Sequence, residues 1–162
     1  MLHTLDLALL RALRSRGHSP AFERAVLAFS RSGEHGVLWQ ACCAAALVLD
    51  PPRRPLYRRT MCTVMLAYLA NIALKYVVRR PRPVLDGLPA LSSTVTSLSY
   101  PSAHSTTSFA AARVLSRGLP AAPGYVVAGA MALSRPYAGV HYPSDVAAGA
   151  LFGTAMAELL AP

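Results

Sequence analysis

Five apolar runs, broken by short stretches bearing arginine and proline, set the terms on which this chain can fold. They cover roughly Gly36 to Leu49, Thr60 to Val78, Ala103 to Ser116, Ala121 to Leu133 and Val146 to Ala161. A chain of 162 residues makes one domain. At 54% hydrophobic residues and a mean hydropathy of +0.37, it is richer in apolar runs than one soluble core of that size needs. The pattern predicts an all-α, multi-pass transmembrane helical bundle with about five membrane-spanning helices over 36–161. Some runs fall short of the ~20 residues that cross a bilayer core, so end residues must be recruited or the bilayer thinned locally.

Upstream of the first run, Leu2, Leu5, Leu9, Leu10 and Leu13 recur at helical spacing with Asp6, Arg11 and Arg14 interleaved. That spacing predicts an N-terminal amphipathic interfacial helix lying on the membrane. Pro20 to Arg31 continues in the same manner, with Phe22, Val26, Leu27 and Phe29 as its apolar set. The whole of 1–162 then reads as a single membrane domain whose residues 1–33 form an interfacial helical segment. No small-residue cleavage site follows the charged residues of this segment, so no cleavable signal peptide is expected. Ser32 to Gly36 breaks the pattern, and Glu34 and His35 read as the polar entrance to the first span.

The net charge is +9, almost wholly from arginine, with Lys75 the only lysine. The arginines lie between apolar runs and not along one basic face, which points to anionic lipid headgroups and away from nucleic acid. Cys42, Cys43 and Cys62 lack metal-ligand spacing and read as small apolar residues.

Three polar clusters stand out against this background. Lys75 to Pro83 (Lys-Tyr-Val-Val-Arg-Arg-Pro-Arg-Pro) crowds cations at the end of the second span. Pro101-Ser102-Ala103-His104 opens the third, where a serine cap, free amides and a histidine at a positive helix end suit phosphate. Ser134 to Asp145 joins the fourth span to the fifth. There Pro143 and Ser144 suit the first helical turn, and Asp145, four residues after His141, can reach its imidazole. A carboxylate on one ring nitrogen frees the other as base or nucleophile. Because successive spans cross in opposite directions, all three clusters fall on one membrane face. Cations, helix amides and two histidines gathered there suit a phosphoryl group.

In these three motifs the chain resembles the phosphatidic acid phosphatase type 2 superfamily of membrane lipid-phosphate phosphatases. That family has Lys, six residues, Arg-Pro; then Pro-Ser-Gly-His; then Ser-Arg, five residues, His, three residues, Asp. Here these are Lys75 with Arg82-Pro83; Pro101-Ser102-Ala103-His104, with alanine where glycine is commonest; and Ser134-Arg135 with His141 and Asp145. Arg80-Pro81 misses the six-residue gap and reads as a decoy. The resemblance implies that His141 attacks phosphorus to form a phosphohistidine, Asp145 orients it, and His104 protonates the leaving oxygen and later activates water. It implies further that Lys75, Arg82, Arg135, Ser102 and the amide of Ala103 hold the phosphoryl oxygens, with no metal and no cofactor. The Ser-Gly-Glu-His entrance together with Pro-Ser-Ala-His is similar to the small actinobacterial phosphatases of arabinan precursor synthesis. That likeness implies decaprenylphosphoryl-5-phosphoribose as substrate, with undecaprenyl diphosphate and phosphatidylglycerol phosphate as alternatives. The loop from Val84 to Tyr100, small and hydroxyl-rich, is either a wall that accepts a sugar or a connector. A lipid phosphotransferase and a non-enzymatic lipid-phosphate binder are the competing functions. The expected partners are a lipid phosphate and the membrane, the expected location is the cell membrane, and oligomeric state is left open.

Overall fold

The computed structural model describes residues 2–161; Met1, Pro162 and the side chain of Leu2, all within the sequence-based expectations, lie outside the described residues. Seven α-helices follow in order among them: α1 (Leu2–Arg14), α2 (Pro20–Ser32), α3 (Val37–Leu49), α4 (Arg54–Val78), α5 (Ala103–Leu115), α6 (Ala121–Tyr137) and α7 (Pro143–Leu160). Short 3-10 turns at Glu34–Gly36 and Pro51–Arg53 lead into α3 and α4. Among the described residues there are no β-strands, and an isolated antiparallel bridge between Pro81 and Leu98 pins the ends of the irregular 79–102 segment.

Helix α5 is the axis of the bundle, packed by α4, α6 and α7. Its residues His104 to Ser108, Ala110 to Ala112 and Val114 are all buried, although five of them are polar. Small side chains make that possible. The first glycine of the α7 pair, Gly149, would carry a Cβ 2.6 Å from the carbonyl oxygen of Ser102, and the second, Gly153, one 2.1 Å from the carbonyl oxygen of Thr106. Backbone therefore meets backbone, as the small-xxx-small spacing of these glycines predicts. The hydroxyls of α5 are satisfied locally or by neighbours: Ser105 donates to the Val146 carbonyl at 2.7 Å, and Thr107 to that of Ala103 at 3.0 Å. Buried Asn71 donates to Thr106 Oγ1 at 2.9 Å, and Trp39 to Ser108 Oγ at 2.9 Å. Trp39, Val64, Ala111, Ala112 and Ala128 form the apolar core beside these bonds.

Large apolar residues cover much of the outside, among them Val48, Leu49, Leu69, Val77, Val126, Leu133, Leu151 and Leu159. One stretch, Pro51–Val78, is by itself long and apolar enough to cross a membrane.

The N-terminal segment is helical as expected, but its faces are divided differently. Leu5, Leu9 and Leu13 point outward, while Asp6, Leu10 and Arg14 point into the protein. The reason is partnership. Asp6 accepts from the Ser144 amide at 2.9 Å and from Arg80 at 2.8 Å, and Arg14 donates to the Pro89 carbonyl at 2.8 Å and the Tyr137 carbonyl at 3.3 Å. Leu10 packs with Leu85 and Tyr142 between them.

Because α7 lies on the backbone of α5, Gly153→Ala should lower the unfolding midpoint of the purified protein in detergent. A loss on the order of 1–3 kcal/mol is the usual cost of overpacking such a contact. Gly129, where an added Cβ meets nothing within 4 Å, serves as the control position and should tolerate alanine.

Candidate active site

The three polar clusters meet where α4 ends, α5 begins, α6 ends and α7 begins. They surround a cavity of about 260 Å³ lined by, among others, Lys75, Arg82, Ala103, His104, Arg135 and His141. Lys75, Arg135 and His141 are each at most 6% exposed, and Asp145 is fully enclosed beneath His141. Ser102 is also buried but does not line the cavity, and its Oγ has no hydrogen-bond partner.

Carbonyl oxygens hold the cations in place. Lys75 donates to Ser99 O at 3.1 Å; Arg82 donates from Nε to Thr96 O at 2.8 Å and from its terminal nitrogen to Val140 O at 2.7 Å. The same Arg82 nitrogen lies 3.1 Å from His141 Nε2. Arginine only donates, so Nε2 must carry the lone pair and Nδ1 the proton. Nδ1 faces Asp145 Oδ2 at 3.5 Å, longer than a hydrogen bond. Burial holds the His141 pKa well below the usual value, and the neighbouring charges of Arg82, Arg135 and Lys75 push it the same way. At neutral pH the ring is therefore an uncharged imidazole with Nε2 free to act as a nucleophile. Burial likewise lowers Arg82 to about 10, which leaves it charged.

Helix α2 supplies a partner that the motifs do not contain. The Ser30 carbonyl accepts from His104 Nε2 at 3.0 Å, which places the neutral ring's lone pair on Nδ1, and Ser30 Oγ accepts from Arg135 at 2.6 Å and from Ser134 Oγ at 3.0 Å. A single buried serine thus orients both His104 and Arg135. Its one trace in the sequence is a hydroxyl on the inner side of α2, where the apolar set would place another Val or Leu.

Arg80 is no decoy. Its guanidinium bonds Asp145 Oδ1 at 2.7 Å, Ser144 Oγ at 2.7 Å and Asp6 Oδ2 at 2.8 Å, and lies 3.9 Å over the Tyr142 ring. Asp145 Oδ2 accepts from the Tyr142 amide at 2.9 Å and so caps α7. Neither expected serine caps a helix: Ser144 gives its hydroxyl to Asp6 at 2.5 Å, and the Ser102 side chain makes no cap bond on α5. Glu34 and His35 are more than a helix entrance, since both line the cavity together with Tyr68.

The arrangement offers a buried neutral nucleophile, an acid/base histidine, and three cations with no carboxylate paired to them. Enclosed positive charge of this kind needs an anion to complete it. The histidine pair and helix amides suit transfer of a phosphoryl group.

Burial raises the Asp6 carboxyl, but the hydrogen bonds from Arg80 and Ser144 outweigh it and hold its pKa below the usual carboxylate range. Its stabilising contribution is therefore complete above pH ~4, the ordinary carboxylate pKa, and is lost as pH falls through the lower native value. Asp6→Asn should flatten the acid limb of the stability curve, measured as unfolding midpoint between pH 3 and 6. Arg80→Ala leaves Asp6 and Asp145 without their shared cation and should cost on the order of 3–5 kcal/mol, with turnover falling more than substrate affinity.

A family model described as the PAP2 superfamily matches residues 57–161. The decaprenylphosphoryl-5-phosphoribose phosphatase of Mycolicibacterium smegmatis is 41% identical over 124 residues, covering 75% of this chain and 68% of that protein. The protein of the same name from Mycobacterium tuberculosis is 34% identical over 131 residues, covering 81% and 74%. Among solved structures, Aquifex aeolicus LpxE superposes with a TM-score of 0.82 at 27% identity, covering 96% of this chain and 93% of that one. The transmembrane PAP2-type phosphatidylglycerolphosphate phosphatase from Bacillus subtilis gives 0.80 at 21% identity, covering 98% and 84%.

Proposed function

This chain belongs to the PAP2 superfamily and is a membrane-associated lipid-phosphate phosphatase, and from that premise we propose that its substrate is decaprenylphosphoryl-5-phosphoribose. The reading rests on relatives at 34–41% identity that carry that name. A site with room beyond the phosphate and hydroxyls on its walls supports it.

The proposed reaction proceeds in two displacements. His141 Nε2 attacks phosphorus as the bond from phosphorus to the ribose oxygen breaks. His104, which takes up a proton at Nδ1 as the phosphate dianion enters, gives that proton to the oxygen, so decaprenylphosphoryl-ribose leaves and a phosphohistidine remains. Water then attacks phosphorus, surrenders a proton to His104 Nδ1, and the phosphorus–nitrogen bond breaks to release phosphate. Lys75, Arg82, Arg135 and the amide of Ala103 at the α5 N-terminus take up the oxygens' charge. Ser102 joins them if its hydroxyl turns toward the site. Asp145 balances the charge on His141, and Ser30 steadies His104. Fixed cations do here what a metal ion does elsewhere.

The membrane arrangement follows from the same reading. Helices α3 to α7 cross the cell membrane as one domain, α1 and α2 lie at its surface with Leu5, Leu9 and Leu13 toward the lipid, and the cavity opens at that surface. The prenyl tail then stays in the bilayer while the phosphate enters.

His141→Ala should abolish phosphate release by purified protein while leaving its unfolding midpoint near wild type, and wild-type activity should persist in excess EDTA. For the substrate, kcat/KM compared in one detergent should favour decaprenylphosphoryl-5-phosphoribose over undecaprenyl diphosphate and phosphatidylglycerol phosphate. A tenfold preference for either alternative, about 1.4 kcal/mol, overturns the ribose assignment.

A further inference from the structure

Between α2 and α3 the backbone turns left-handed at two successive residues, His35 at φ 54° and Gly36 at φ 76°. For histidine that conformation is uncommon and strained. Its effect is to bring the His35 ring against Tyr68, edge to face at 5.4 Å between centroids, with Nδ1 2.5 Å from the phenol oxygen. If Tyr68 donates to Nδ1, the ring proton sits on Nε2, which has no protein partner among the described residues and is free to donate.

Glu34, one residue earlier, lines the same cavity as Lys75, Arg82 and Arg135, is exposed, and makes no ion pair among the described residues. A free carboxylate on the wall of an anion site works against the phosphate by like-charge repulsion. It stands in the field of Arg135 without bonding it, which leaves its oxygens open to hydroxyl donors on the substrate.

The position relative to the chemistry is informative as well. Gly33 is pressed against the acid/base histidine, since a Cβ there would fall 2.9 Å from His104 Cδ2. The turn that carries Glu34 and His35 is thus anchored beside His104, the group that serves the leaving oxygen. Whatever is attached to that oxygen is what this turn meets. Across the cavity, Thr94 and Thr96 of the irregular segment add hydroxyls.

We propose that Glu34 and His35, the latter braced by Tyr68, form a subsite for the hydroxyls of the leaving group. The carboxylate accepts and the imidazole donates, a pairing matched to the vicinal diol of a pentose. This assignment rests on the ribosyl-lipid reading above and gives it a physical basis, because a diacylglycerol or prenyl alcohol has no diol to offer.

The test uses the full chain in detergent with two lipids, decaprenylphosphoryl-5-phosphoribose and its 2,3-dideoxyribose analogue, and reads the ratio of their kcat/KM values. The wild type should favour the diol by tenfold or more. In Glu34→Ala the ratio should fall toward one, chiefly through KM for the ribosyl lipid. His35→Asn, which tolerates the left-handed backbone, should reduce the ratio in part. A wild type indifferent to the diol, or a Glu34→Ala variant that keeps the full ratio, overturns the subsite. The substrate reading is judged separately, by the three-lipid comparison. Should a sugar-free lipid win there while Glu34→Ala still collapses the diol ratio, the substrate assignment fails and the subsite stands.

Discussion

Everything at the motif end of this bundle depends on keeping one buried carboxylate charged and aimed. Asp145 is enclosed, and an isolated carboxylate in that position would take up a proton instead of remaining ionised. Arg80 opposes that by binding one oxygen, the Tyr142 amide binds the other, and Asp6 on α1 holds the far side of the same guanidinium. Arginine suits the task because its planar fork can serve two carboxylates and still lie flat on the Tyr142 ring. A lysine there would offer a point charge with no such geometry.

Against that fixed negative charge the cavity sets three cations and a neutral imidazole. The imbalance suits the site to an anion such as a phosphoryl group. Lys75 and Arg82 are tied to backbone carbonyls and Arg135 to the Ser30 hydroxyl, so each is held in position without being neutralised. Positioning and charge are supplied by different partners, and a phosphoryl group entering the cavity meets a field already set, with little to reorganise.

Much of this was legible in the sequence, and for definite reasons. The motif residues sit at helix ends with fixed short spacings, and the alternating directions of successive helices bring those ends to one side; both survive translation into three dimensions. The inward polar face of α1 was not legible, because a leucine stripe has the same period whether lipid or protein lies against it, and only the distant Arg80 and Ser144 decide. Spacing to Lys75 separates Arg80 from Arg82 correctly but says nothing of its distant partners Asp6 and Asp145. Ser30 left a weak mark, since a single serine on an apolar helix face is common. Glu34 and His35 gained meaning only from the left-handed turn that sets them on the cavity wall.

The double role of Ser30 reaches beyond the site itself. One residue of α2 governs both a cation and a proton carrier, through its hydroxyl and its carbonyl, and it lies outside the 57–161 stretch that defines the family. Grafting the three motifs of a relative onto this scaffold, or the reverse, would join two halves whose registers were never fitted to each other. A chimera with its junction before α3 inherits every named motif yet depends on a foreign helix to seat Arg135 and His104. The working unit for recombination among such enzymes is accordingly the whole chain from α1 onward, and alignment of the motif half alone understates what must travel together.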